Sequence, residues 1–157
     1  MILNRQRAVR VAQWPLGQFL ACVQRELGIT EADVTICLVS DAEIARMNQV
    51  FRKKKGPTDV LSFPAIERSK PASLARKRVR RISRTRRRPR TPYFLGDVAI
   101  SPSTARRNAK KLGRTLPSEL QVLTLHGVLH LLGYDHEIDR GEMDRVEERL
   151  RRKLGLT

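Results

Sequence analysis

The stretch PSELQVLTLHGVLHLLGYDH, residues 117–136, decides the fold of this chain. Apolar side chains occupy nearly every face of it as far as Leu132, which predicts a helix enclosed by protein rather than one lying on a surface. Gly133 then offers a flexible residue at which the chain can leave the helix. The sequence therefore predicts a central, buried helix that ends near position 133.

All three histidines of the chain lie in this stretch, at positions 126, 130 and 136. Residues four apart on a helix differ by about 40° in azimuth, so His126 and His130 aim at one point beside the axis. A bend at Gly133 can bring His136 to the same point. Three imidazoles with an open fourth position are typical of a catalytic zinc site, and we predict one Zn²⁺ per chain on these rings. Ni²⁺, Co²⁺ or Cu²⁺ would also suit such ligands.

Three separate core histidines are the competing interpretation. That interpretation requires a hydrogen-bond partner for every buried ring, because an unsatisfied group costs on the order of 1 to 3 kcal/mol. One shared metal ion satisfies all three rings together. The clustering of every histidine within residues 126–136 therefore favours a metal site.

Shorter patterns on either side predict alternating helices and strands. The predicted helices are 14–27, one opened by a capping box at Ser40–Glu43, one bounded by Ser101 and Gly113, and 141–154. The predicted strands are 34–39, 58–64, 97–100 and a weaker one within 2–11.

Two side-chain patterns refine these helices. Ile44, Met47 and Phe51 are predicted to form the buried stripe of the second helix. In the last helix, Met143, Val146 and Leu150 are predicted to face inward. Ion pairs Glu147–Arg151 and Glu148–Arg152 are predicted to lie on its solvated face.

Charge is unevenly distributed along the 157 residues, which carry a net charge of +16. Residues 67–92 hold twelve Lys and Arg against Glu67 alone, a net charge of +11. Such a run repels itself and has few apolar residues, so it predicts a flexible insert in a single domain spanning 1–157. The excess of positive charge indicates a polyanionic partner.

The remaining composition narrows the protein class. Cys22 and Cys37 are isolated, so neither a disulfide framework nor a thiolate metal site is indicated. No apolar run approaches the roughly 18 residues of a membrane span, and the first residues lack the apolar stretch of a secretory signal. We therefore predict a cytoplasmic protein with no membrane partner.

The histidine spacing H-x3-H-x5-H is also that of the metzincin proteases, in which the second position is a glutamate acting as general base. Here that position is Gly127. Without the carboxylate the peptidase mechanism lacks its proton acceptor, although a bound metal still lowers the pKa of water toward about 7. A zinc metallopeptidase is the second hypothesis.

Three sequence blocks resemble a known family, the YbeY endoribonucleases, which are bacterial rRNA maturation factors. The signature H-G-x-L-H-L-x-G-Y-D-H matches residues 126–136 at every fixed position. The block T-D-V-L-S-F-P, preceded by an arginine, matches 58–64 and Arg52, and L-G-D stands at 95–97. The blocks occur in the family's order, whereas the arginine-rich insert is longer and more basic than the family pattern.

The resemblance implies an α+β fold with a mixed four-stranded sheet and packed helices. It implies zinc on His126, His130 and His136, with Arg52 facing the metal as the essential cation. The implied activity is metal-dependent cleavage of single-stranded RNA in 16S rRNA 3′-end maturation and ribosome quality control. The implied partners are the 16S rRNA precursor and the small ribosomal subunit, and no DNA partner is predicted.

Phosphodiester chemistry agrees with this assignment. Attack on the phosphate builds negative charge that Zn²⁺ and the paired donors of a guanidinium can stabilise, the nucleophile being a zinc-activated water or the 2′-hydroxyl of the RNA. Lys53, Lys54 and Lys55 then act as steering charges. Aromatic residues make up only 4% of the chain, so charge rather than stacking must supply most of the RNA affinity.

Four further residues have local structural roles as the simpler interpretation. Asp59 and Asp97 are predicted to begin strands and fix the backbone there. Asp135 either orients a histidine or forms a turn, and Tyr134 either lines the pocket or packs. A third hypothesis for the whole chain is a non-catalytic, basic ribosome-assembly factor with a structural metal.

Overall fold

A computed structural model of the chain describes residues 1–65, 92–135 and 138–156. Its helices and strands, in chain order, are β1 Ile2–Asn4, α1 Gln13–Glu26, β2 Ala32–Leu38, α2 Asp41–Met47, the π-turn Asn48–Arg52, β3 Val60–Pro64, β4 Tyr93–Ile100, α3 Pro102–Lys111, α4 Leu116–Leu131 and α5 Glu142–Lys153. The insert predicted at 67–92 lies outside the described residues, except for Pro92. His136 also lies outside them. None of the described helices is long and apolar enough to cross a membrane.

The strands form one mixed sheet in the order β1-β2-β4-β3. β1, β2 and β4 run parallel, and β3 runs antiparallel to β4 along the edge. This arrangement confirms the predicted single-domain α+β fold with a mixed four-stranded sheet.

Side chains alternate along the strands and supply two separate cores, one on each face of the sheet. Val34, Ile36 and Val98 face the main core, in which residues of α1, α3, α4 and α5 are buried. Leu61 and Ala99 face a smaller core that is closed by Ile44 of α2. α4 lies on β3 and β4 and contacts α1, α3 and α5, so the prediction of a central helix is confirmed.

Two glycines allow the sheet and α4 to approach closely. A Cβ on Gly127 would lie 2.4 Å from Cγ1 of Val98, and the Ser62 hydroxyl donates a hydrogen bond to the Gly127 carbonyl over 3.0 Å. Gly96 has φ +147°, and a Cβ there would lie 2.3 Å from the carbonyl oxygen of Phe63. The three sequence blocks that carry the family resemblance therefore meet where α4 packs on β3 and β4.

The weaker strand predicted within 2–11 is confirmed as β1, which covers only Ile2–Asn4. Beyond it, the Gln6 side chain forms hydrogen bonds with both backbone groups of Val9, at 2.8 and 2.9 Å. The predicted start of β4 is wrong. β4 begins at Tyr93 rather than Asp97. The strand continues through Gly96, which pairs with Val34 next to an irregularity in the β2 register, so this glycine interrupts the apolar pattern without ending the strand.

The predicted burial of Phe51 is also wrong. Its side chain is 65% exposed, whereas Ile44 is fully buried and Met47 packs beside it. The cause is the π-turn, which changes the angular step after Met47 and places Asn48 in the interior instead. The Phe51 ring stands edge-on to Phe63, with centroids 4.9 Å apart.

Candidate metal centre

The capping of α4 fixes where its histidines lie. Thr115 caps the helix, its hydroxyl accepting a hydrogen bond from the Ser118 backbone N–H over 3.3 Å, and Pro117 stands in the first turn. Leu125 and Leu129 are fully buried in the main core. This packing orients the helix so that His126 comes out partly exposed, with 24% of its side chain accessible.

His126 and His130 converge as the i, i+4 spacing predicts. Their Nε2 atoms are 3.1 Å apart, and the ring centroids are separated by 4.7 Å with an interplanar angle of 74°. Nitrogen ligands at about 2.0 to 2.1 Å from one tetrahedral zinc lie about 3.3 to 3.4 Å from each other. The two imidazoles therefore fit a shared Zn²⁺ by donor chemistry and by spacing.

The third predicted ligand, His136, lies outside the described residues. Within residues 1–65, 92–135 and 138–156, no group of three His, Cys, Asp or Glu side chains forms a metal-binding set. The chain does leave α4 as predicted: Gly133 has φ +90°, and its N–H donates to the His130 carbonyl over 2.9 Å. The site that the structure describes thus consists of two of the three predicted ligands.

Glu147 of α5 contacts the His126 ring at Nδ1, and the sequence analysis did not predict this contact. Its Oε2 is 2.9 Å from His126 Nδ1, its Oε1 accepts from the Arg151 guanidinium, and the residue is only 8% exposed. The predicted ion pair Glu147–Arg151 is present, but its predicted position on the solvated face is wrong, because α5 turns this carboxylate toward α4. The spacing could have predicted it, because Glu147 lies four residues after Met143 and therefore on the inward stripe of the helix.

Electrostatics keep this carboxylate ionised. Burial raises the pKa of Glu147, but hydrogen bonds and charges from His126 and Arg151 outweigh it and hold that pKa below its usual range. A carboxylate that is ionised can only accept hydrogen bonds. While Glu147 is ionised, the hydrogen bond between the two groups requires the proton on Nδ1 of His126.

A cleft of about 360 Å³ opens beside His126. Its lining carries charges of both signs, from Asp59, Arg114, Glu119 and Arg151. Arg114 and the buried Glu119 form an ion pair at 3.2 Å. His126 lines this cleft, whereas His130 is not among its lining residues.

Arg52 lies at the exposed end of the π-turn. The turn is closed by the Asn48 amide, which donates to the Gly56 carbonyl over 3.0 Å. Lys53, directly after Arg52, has φ +57° and ψ +24°, a left-handed conformation that costs a residue with a side chain about 1 to 2 kcal/mol. π-turns and strained residues of this kind are concentrated at functional sites.

The remaining predicted residues have structural roles. Asp59 fixes the start of β3, accepting from the Val60 N–H at 2.9 Å and from the Asn108 amide at 3.0 Å, as predicted. Asp97 lies inside β4 rather than at its start, which corrects the prediction. The Asp135 carbonyl accepts from two N–H groups of a turn, and Tyr134 packs against the main core.

Comparison with known proteins adds the family. A family model described as endoribonuclease YbeY matches residues 3–155. The chain belongs to the YbeY family. This confirms the resemblance inferred from the sequence blocks at 58–64, 95–97 and 126–136.

Individual YbeY relatives match over most of their length. A protein of Solibacter usitatus named endoribonuclease YbeY is 44% identical over 141 residues, covering 90% of this chain and 78% of the relative. One of Koribacter versatilis with the same name is 36% identical over 156 residues, covering 99% and 86%. A solution structure from Thermotoga maritima has a TM-score of 0.60 at 26% identity, covering 98% of this chain and 89% of that one.

Proposed function

We propose that the chain is a zinc-dependent endoribonuclease that cleaves single-stranded RNA. Its place would be in 16S rRNA 3′-end maturation and ribosome quality control, in the cytoplasm, with the rRNA precursor and the small ribosomal subunit as partners. The observation that carries the proposal is the convergence of His126 and His130, with Nε2 atoms 3.1 Å apart, in a chain of the YbeY family.

His126 and His130 would hold the zinc together with His136. A bound zinc supplies Lewis-acid stabilisation of charge on a phosphate and lowers the pKa of water. Because His126 donates through Nδ1 to Glu147, its Nε2 carries a lone pair on the side that faces His130.

Arg52 would neutralise the charge that develops on the scissile phosphate. A guanidinium offers paired donors to two phosphate oxygens, which a lysine cannot do. Lys53, Lys54 and Lys55 follow it on the exposed loop and would attract the RNA backbone. The exposed Phe51 offers a ring on which one unpaired base can stack.

The peptidase alternative is disfavoured by Gly127. In that mechanism a glutamate at this position acts as general base. Here the position faces β4, where even a Cβ would lie 2.4 Å from Val98 Cγ1. The close packing of α4 on the sheet therefore leaves no room for the carboxylate that proteolysis needs.

One assay separates the three hypotheses. Purified protein is given a fluorescent single-stranded RNA or casein, with chelator and after zinc is restored, beside His130→Ala, Arg52→Ala and the exposed control Arg46→Ala. We expect RNA cleavage by the wild type and Arg46→Ala only, lost with chelator and recovered with zinc. Casein cleavage would support the peptidase. Failure of the wild type to cleave either substrate would support the assembly factor.

Product ends identify the nucleophile. Attack by the RNA 2′-hydroxyl leaves a cyclic phosphate, whereas attack by water does not. Mass spectrometry of the products of the wild-type protein distinguishes the two routes. His130→Ala must abolish both kinds of product, because contaminating ribonuclease also yields cyclic phosphates.

A further inference from the structure

The Glu147 carboxylate is held at both oxygens by different partners. Oε2 lies 2.9 Å from Nδ1 of His126, and Oε1 accepts from the guanidinium of Arg151 one turn further along α5. Glu147 is 8% exposed, whereas its neighbour Glu148 has a 70% exposed side chain in a loose 3.9 Å pair with Arg152. The same sequence pattern thus produces a buried carboxylate with two partners at one position and an exposed surface pair at the next.

This geometry selects one tautomer of His126. A neutral imidazole carries its proton on either Nδ1 or Nε2, and a carboxylate cannot donate a hydrogen bond to it. With Glu147 on the Nδ1 side, the proton stays there and the Nε2 lone pair faces His130. Since Arg151 holds the other oxygen, the carboxylate cannot rotate away from the ring.

Burial gives this contact its strength. A carboxylate removed from water needs a countercharge, and Arg151 supplies it from the same helix. The Nε atom of Arg151 is itself buried without a hydrogen-bond partner among the described residues. The arginine is therefore placed for Glu147 at a cost to its own hydrogen bonding.

We propose that Glu147 is a positioning residue: it fixes His126 with the Nε2 lone pair directed toward the metal position, and Arg151 holds Glu147 in place. The inference rests on the proposed zinc site but not on RNA cleavage. Outer hydrogen bonds of this kind change metal affinity by about 10- to 100-fold.

Glu147→Gln tests the proposal at nearly constant shape. Arg151 will attract the amide oxygen, so the amide NH₂ will face Nδ1 of His126 and force the proton onto Nε2. Glu148→Gln is the matched control, since it removes the adjacent carboxylate of the same helix. Two-bond proton–nitrogen spectra of metal-free, ¹⁵N-histidine-labelled protein, taken well above the usual histidine pKa of about 6.5, report the tautomer directly.

We expect the Nδ1-protonated tautomer of His126 in the wild type and in Glu148→Gln, and the other tautomer in Glu147→Gln. Zinc affinity, measured by competition with a chelator, should fall about 10- to 100-fold in Glu147→Gln only. An Nε2-protonated His126 in the wild type overturns the proposal, and so does unchanged zinc affinity in Glu147→Gln. If Glu147→Gln does not fold, the His126 tautomer in the wild-type spectrum decides the proposal. A wild type with the expected tautomer and zinc affinity but no RNA cleavage would refute the proposed function and leave this inference intact.

Discussion

The two faces of the sheet carry the predicted site in different ways. On one face α4 is locked into the main core by buried leucines, and His126 and His130 emerge from it at fixed spacing. On the other face α2 packs on the smaller core and continues into a π-turn. In this turn the Phe51 side chain is exposed, and Arg52 stands at the exposed end. In the proposed function, rigid packing would supply the metal ligands, whereas a locally strained, exposed segment would supply the cation for the phosphate.

Arg52→Ala should have the largest effect on this division of roles. Loss of a group that stabilises charge only in the transition state costs about 10²- to 10³-fold in kcat. Zinc binding should stay at the wild-type level, because Arg52 is not a ligand. Steady-state cleavage of a single-stranded RNA measures the first effect and chelator competition the second. Arg46→Ala, an exposed cation of α2, should leave both unchanged; a comparable loss there would indicate general charge instead.

Phe51→Ala tests whether the exposed ring contributes to RNA binding. Stacking of one base on an aromatic ring contributes about 1 to 3 kcal/mol, so Kd for single-stranded RNA should rise about 5- to 100-fold. Val50→Ala is the control, since Val50 is an adjacent apolar side chain that is 58% exposed. Fluorescence anisotropy with labelled RNA gives both values. An equal rise in Kd for the two substitutions would mean that Phe51 contributes apolar contact but no base stacking.

Gly127→Ala tests the close packing of α4 on the sheet. The new methyl would lie 2.4 Å from Val98 Cγ1, and overpacking of this kind destabilises by about 1 to 3 kcal/mol. Gly17→Ala is matched to it, because Gly17 is also helical but a Cβ there meets only Ile2 at an ordinary 3.6 Å. That control should gain up to about 1 kcal/mol from helix propensity. Urea denaturation should therefore move the two midpoints in opposite directions, and a stabilised Gly127→Ala would contradict the close packing of α4.

Asp41→Asn should have the smallest effect, and a pH-dependent one. Burial raises the pKa of Asp41, but hydrogen bonds from Ser101, Arg107 and Thr104 outweigh it and lower that pKa below its usual range. A lowered folded-state pKa gives stability that is present above the unfolded pKa of about 3.9 and lost as the pH falls through the folded value. The contribution is about 1 kcal/mol or less, because Arg107 is 53% exposed.

Urea midpoints across pH check this prediction. Asp41→Asn should be less stable than the wild type near neutral pH, and the difference should shrink as the pH falls below about 4. A difference that stays constant with pH would assign the loss to shape rather than to charge.

Much of the rigid face could be predicted from the sequence. The enclosed helix, its i, i+4 histidines and its exit at Gly133 all follow from local periodicity and backbone preference. Glu147 was missed because a glutamate four residues before an arginine is typical of a surface pair. Only the packing of α5 against α4 shows that this carboxylate faces His126.

The second face was harder to predict. A periodicity of 3.6 residues places Phe51 on the stripe of Ile44 and Met47, but the π-turn changes that phase. In this turn the buried Asn48 donates a hydrogen bond to the Gly56 carbonyl, a contact that helical periodicity does not record. The start of β4 was predicted too late for a related reason. Gly96 interrupts the apolar pattern, and only its pairing with the neighbouring strand shows that the strand continues through it.

Zinc binding by the purified wild type and by His130→Ala tests the central claim most directly. Metal analysis and chelator competition should show one tightly bound zinc per wild-type chain and a greatly weakened site in His130→Ala, with circular dichroism confirming that both fold. Equal zinc content and affinity in the two proteins would contradict a metal centre built on the paired imidazoles of α4.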